Sequence, residues 1–206
     1  MIESYVLYPD APPFKRSRRG GPVNRNEEAR LVNLVGAAAL GLGDAIGADA
    51  AAAAGLDATA ATALVTLLDL ARGGSIRSVS RLIGISHSGT VRLVNRMVDE
   101  GLIARRPGHD GRTLAVTLTR RGRALAQRLR AERAAAVTTA LDGLTAEDRL
   151  QLASICEVMI GNLVTARLAA RRQDRDPVGG ALCRLCDPIA CGRAIGHCPA
   201  ASTAAD

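Results

Sequence analysis

The chain has 206 residues and a net charge of +7, from 27 Lys and Arg against 20 Asp and Glu, and its only aromatic residues are Tyr5, Tyr8 and Phe14. That length can bury a sizeable core, but everything after Phe14 must pack with aliphatic side chains, which disfavours carbohydrate clefts, aromatic cages and base-stacking sheets. The Ala-rich stretches are broken by Gly and Asp without a run of about 18 strongly apolar residues, and Met1–Tyr5 lacks the basic flank and apolar stretch of a secretory signal, so a soluble, cytoplasmic protein with no membrane partner is expected.

Residues 1–24 join Pro12-Pro13 to Lys15-Arg16-Ser17-Arg18-Arg19 with no apolar period, which predicts a disordered basic arm. From Asn26, apolar residues recur at Leu31, Leu34, Val35, Ala38, Leu42 and Ile46, one face of a helix that Asn26 caps and Glu27 and Glu28 suit at its positive end. Residues 25–56 form this helix and its linker. Asp57 then caps a second helix with Leu64, Leu67, Leu68 and Ala71 inward, closed by Gly73-Gly74. After a very short extended Ser75-Ile76, Ser78 is expected to cap a helix over Val79–Ile83. Gly84-Ile85-Ser86 turns the chain into another helix, from His87 to about Glu100. Leu102–Arg106 and Thr113–Leu118 read as the strands of a hairpin with a basic tip. Thr119 caps a long helix reaching about Leu141. Thr145 to Asp148 start another that runs to about Arg171, with Leu152, Ile155, Cys156, Met159, Leu163 and Val164 on or near one face and Cys156 read as a core residue.

Charge is concentrated. From Arg72 to Arg123, eleven Arg stand against Asp99, Glu100 and Asp110, a local +8 that leaves −1 for the rest of the chain. A solvated face is the plain reading and a phosphate-binding surface the sharper one, for which the planar Arg fork is suited. The fold expected is mainly α. Two helices joined by a Gly turn and followed by a basic hairpin make a winged helix-turn-helix, which places one helix in a major groove and the wing on the adjacent backbone or minor groove. Ser86 caps the recognition helix, and Ser88, Gly89, Thr90 and Arg92 occupy its first two turns, within reach of base edges. Arg92 suits a bidentate bond to guanine, Arg96 a phosphate, and Arg112 at the wing tip the minor groove, oriented by Asp110. Val91, Leu93, Val94, Met97 and Val98 cover the inward side. His87 and His109 read as backbone or solvent contacts.

In order and spacing, Val79 to Ser86, Thr90 to Ile103, Asp110-Gly111-Arg112-Thr113 and Val116 to Gly122 resemble the entry helix, recognition helix, wing and following helix of the MarR family of bacterial repressors. The resemblance covers about residues 27–170. It implies a homodimer in which the first helix and the last two long helices pack across a two-fold axis, and hence a near-palindromic operator on double-stranded DNA. The implied organisation is a dimerisation helix and linker at 25–56, the winged helix-turn-helix at 57–118 and dimerisation helices at 119–171. A small-molecule effector site is implied between the dimer helices and the winged domain, with no lining residues legible.

Residues 172–206 form a Cys-rich tail. Cys183, Cys186, Cys191 and Cys198 place four thiols within 16 residues, in a chain assigned to the reducing cytosol, where structural disulfides are rare. Four thiolates suit tetrahedral zinc, with an iron–sulfur cluster as the alternative and redox-active free thiols as the remainder; His197 is a substitute ligand for Cys198. An enzyme would need a nucleophile and base, paired carboxylates or an open metal site, none of which the sequence offers. The expected function is a sequence-specific regulator of transcription, responsive to metal or redox state through the tail, with a nonspecific architectural nucleic-acid-binding protein carrying a structural metal site as the alternative.

Overall fold

The computed structural model describes residues 24–108, 114–173, 175 and 179–205, with residues 48–54 described in backbone only. The chain divides into two units, residues 1–38 and 39–206.

The described part of the first unit is the start of helix α1 (Arg25–Ala54). Asn24 caps it, correcting the expectation for Asn26. The Asn24 Oδ1 accepts from the backbone N–H of Asn26 and Glu27, both at 3.0 Å, and Glu27 returns a bond to the Asn24 N–H. Leu31, Val32, Leu34 and Val35 are all exposed.

In the second unit, α2 (Ala58–Leu68) begins at Asp57, whose carboxylate accepts from Thr59 and Ala60 N–H at 2.9 Å. Nearly the whole helix is buried. Helix α3 (Ile76–Ile83) is capped by Ser75, not Ser78 as expected: the Ser75 hydroxyl accepts from Ser78 N–H at 3.2 Å. Ser75 is held in place from outside the helix, by its bridge to Ala115 and by the bond from Val116 N–H to Gly74 O. Gly84, at φ 75°, makes the turn into α4 (His87–Asp99), capped by Ser86. Strands β1 (Ile103–Pro107) and β2 (Leu114–Leu118) pair antiparallel from Ile103↔Leu118 to Pro107↔Leu114. Their tip, and with it His109, Asp110 and Arg112, lies outside the described residues, as does the basic arm up to residue 23. Val79, Leu93, Val94, Met97, Leu102 and Val116 close a core over Leu64 and Leu68. Each such side chain contributes about 1.5–3 kcal/mol of apolar burial.

The wing root is fixed to helix α5 (Arg120–Ala140) by backbone contact. Thr119 caps α5 and donates through its N–H to Leu102 O at 3.0 Å, and Gly122 lies so close that a Cβ there would stand 1.9 Å from the same oxygen. A capping box of Thr145 and Asp148 opens α6 (Ala146–Arg172). Its apolar residues Ile155, Val158, Met159 and Leu163 are exposed, with Val164 buried. Cys156 is exposed too, against the expectation of a core position, because no element among the described residues covers its helix face. The tail then forms two short 3-10 turns (Leu182–Leu185 and Arg193–Ile195) and α7 (Pro199–Ala205), which packs on α6.

Two segments, Arg25–Gly47 and Ala146–Arg172, are long and apolar enough by length and composition to cross a membrane, contrary to the expectation that no such stretch exists. Alanine raises their average hydropathy even where Gly and charged residues interrupt them.

Candidate nucleic-acid interface and cysteine site

Helix α4 presents one face to solvent and gives the other to the core. The Ser86 hydroxyl accepts from Gly89 N–H at 3.1 Å and shares a 3.3 Å bond with Ser88, so the helix start carries two adjacent hydroxyls on an exposed edge. Thr90 is not on that edge. It is 0% exposed, and its hydroxyl donates to Ser86 O at 3.0 Å, so it locks the first turn and does not face a ligand. Arg92 is exposed and, among the described residues, has neither ion-pair nor hydrogen-bond partner. Arg96 is exposed as well, but its guanidinium already pairs with Asp57 and, at 3.9 Å, with Glu100. That contact ties the recognition helix to the cap of α2. Burial pushes the Asp57 carboxyl upward, but the Ala60 N–H, the Arg96 hydrogen bond and charge, and the Thr59 N–H outweigh it and hold its pKa below the ordinary value.

Three further features enlarge the interface beyond the residues singled out from sequence. Arg105 of β1 donates to the Asn95 side chain, joining wing to recognition helix. Arg77, Arg81 and Arg106 are exposed on α3 and β1. Arg121 donates to Glu100 O at 3.1 Å, closing the end of α4. Of these, only the Arg run was legible, because the pairings depend on strand register.

Residues 54–113, which include the helix-turn-helix and the first wing strand, match the MarR family model. A MarR family protein from Bacillus stearothermophilus superimposes with a TM-score of 0.59 at 19% identity, covering 69% of this chain and 99% of that one. The fold is a MarR-type winged helix. Also similar are a MarR family transcriptional regulator from Rhodococcus sp. RHA1 (TM-score 0.48, 25% identity, 65% and 92% coverage) and the MarR family protein Rv2887 of Mycobacterium tuberculosis in complex with DNA (0.49, 27%, 64% and 95%). No curated protein matches the chain.

The MarR-type core carries the tail directly on its helix-turn-helix. Ala181 N–H donates to Leu82 O at 2.8 Å, and the hydroxyl of fully buried Thr66 donates to Arg184 O at 3.0 Å. Gly180 meets the turn backbone to backbone: a Cβ on Gly84 would stand 2.1 Å from Gly180 N, and one on Gly180 2.3 Å from Leu82 O. Arg130 of α5 bridges Asp69 at 2.7 Å and Asp187 at 3.6 Å. Nothing in the sequence signalled this docking.

All four tail cysteines, with Leu70, Pro188 and Arg193, line one void of about 10 Å³; His197 does not. Cys198 is 2% exposed and the other three are partly buried. Cys183 and Cys186 share a hydrogen bond that raises the first thiol's pKa and lowers the second to about 6, with burial opposing and Arg133 and Arg184 assisting the fall. Burial, then Cys198, raises Cys191 to about 11. Among the described residues, no group of three or more His, Cys, Asp and Glu already forms a metal cage, so the thiols share a cavity without being drawn into a coordination sphere. A separate cavity of about 300 Å³ lies between α1, α2, α5 and the tail, with Arg130, Arg133 and Arg184 on its wall.

Proposed function

We propose that this chain is a sequence-specific, double-stranded DNA-binding regulator of transcription, acting in the cytoplasm as a homodimeric repressor on a near-palindromic operator. The observation that carries the reading is Arg92: an exposed guanidinium in the second turn of a helix-turn-helix recognition helix, beside the exposed Ser88, while the opposite face of α4 is committed to packing. A guanidinium so placed suits the paired acceptors of a guanine edge. Arg77, Arg81, Arg106 and, in the undescribed wing tip, Arg112 supply charge for phosphates and the flanking minor groove.

Dimerisation is supported by apolar residues that are exposed among the described residues, Leu31, Leu34 and Val35 on α1 and, separately, Ile155, Met159 and Leu163 on α6. In this reading residues 25–56 and 119–171 dimerise, and 57–118 read DNA. Two recognition helices then meet half-sites one DNA turn apart, about 34 Å. The arginine-walled cavity is the place for an anionic effector.

Selection from random duplexes tests the proposal. The full chain is expected to enrich one near-palindromic sequence and to bind it at least about 1000-fold more tightly than random DNA at the same salt concentration. Equal affinity for all duplexes, with a steep salt dependence, would instead make it an architectural protein.

A further inference from the structure

The tail is anchored at two places. Residues 180–187 sit on the helix-turn-helix and α2, through Ala181 to Leu82, Arg184 to Thr66 and Gly180 against Gly84, and Arg167 of α6 donates to Gly180 O. Helix α7 sits on α6, where Thr203 approaches Gly161. The cysteines are distributed between these anchorages. Cys183 and Cys186 belong to the first, Cys198 directly precedes α7, and Cys191 lies between them, yet all four line the same void.

That void is the size of one water-sized sphere. A single zinc ion among four thiolates needs no more room than that. One divalent ion with four thiolates carries a net charge of −2. Arg193 lines the same void, and Arg133 shares a neighbouring cavity with Cys186 and Cys191, so cationic side chains stand beside such a centre.

We infer that Cys183, Cys186, Cys191 and Cys198 bind one zinc ion as four thiolates, and that this ion locks the helix-turn-helix to α6 through the tail. Each thiol gives its proton to solvent as its bond to zinc forms, and no electron is transferred. Loss of the ion removes the link through the cysteines and leaves the bond from Arg167 of α6 to Gly180 O to join the two anchorages. The consequence for DNA affinity rests on the function proposed above.

The test uses the full chain. Metal analysis of the purified protein is expected to give one zinc per chain, lost in Cys183→Ser and in Cys191→Ser. Because Cys198 is buried and a variant there can misfold, unmutated protein is also reconstituted with cobalt, which should give thiolate-to-cobalt absorption and tetrahedral visible bands saturating at one equivalent. Iron with inorganic sulfide, or no metal and no cobalt spectrum, would overturn the site. Chelator-stripped protein should lose amide-exchange protection at residues 80–86 and 180–187 and regain it when zinc is added back. Unchanged exchange would reduce the ion to a local staple and overturn the lock. For a duplex selected by zinc-loaded protein, stripping should change affinity by at least about 5-fold, the lower end of ordinary allosteric coupling; a smaller change would overturn the regulatory consequence. If neither form selects a duplex, the DNA-binding reading falls, while metal content and exchange still decide the site.

Discussion

The recognition helix and the tail segment that rests on its turn are held by interactions of opposite range. Helix α4 begins because Ser86 satisfies an N–H three residues on, and Thr90 closes the same turn by bonding back four residues. The tail has local bonds of its own there, from Arg184 to Ala181 O and from Cys186 N–H to Cys183 O, but none of them seats it on the helix-turn-helix. Its position depends on Leu82, Thr66, Gly84 and Arg130, each far away in sequence. Locally specified elements tolerate the loss of a distant contact, whereas a segment specified at long range depends on each of the few contacts it makes.

Four substitutions test this contrast. The largest effect is expected from Gly180→Ala, whose Cβ would collide with the Leu82 carbonyl at a residue with φ 71°. A cost of about 2–3 kcal/mol is expected in urea unfolding, with exchange protection lost over 180–187 but retained in α4. Loss of protection in both would show that the recognition helix depends on the tail. Arg92→Ala should leave stability unchanged and weaken binding to the selected duplex by about 2 kcal/mol, with random DNA barely affected. An equal loss on both would make Arg92 a phosphate contact.

Thr66→Val keeps the shape of α2 and removes the hydroxyl that meets Arg184 O. About 1 kcal/mol of stability should be lost, and none if the tail is already detached, for instance in the Gly180→Ala background. The smallest effect belongs to the local side of the comparison: Asp57→Ala should cost about 1 kcal/mol at neutral pH through loss of the α2 cap. Because the folded Asp57 pKa lies below its ordinary 3.8, its contribution is present above that value and lost as pH falls through the lowered one. Urea midpoints of parent and variant should therefore converge in strong acid.

The same contrast explains what was legible in the sequence. Asp57, Ser86, Thr119 and Thr145 stand out as caps because the groups they satisfy lie two or three residues away. Ser78 stands out as the cap of α3 by spacing, but the bridge of Ser75 to Ala115, remote in sequence, moves the cap to Ser75. Thr90 reads as a groove-facing hydroxyl until helix packing buries it. The apolar pattern around Cys156 identifies a helix face without identifying what covers it. The cysteine spacing groups four thiols that line one void in the structure, but Gly179-Gly180 has no local pattern from which a docking point against Gly84 could be read.

The bond between Thr66 and Arg184 spans 118 residues, and that separation has a consequence during biosynthesis. At about 5–20 residues per second, Arg184 leaves the ribosome about 6–24 s after Thr66. Helix α4 and its exposed arginine are therefore complete on the nascent chain before the segment that anchors their turn has been made. A chain interrupted in that interval would carry the DNA-facing residues without their anchor.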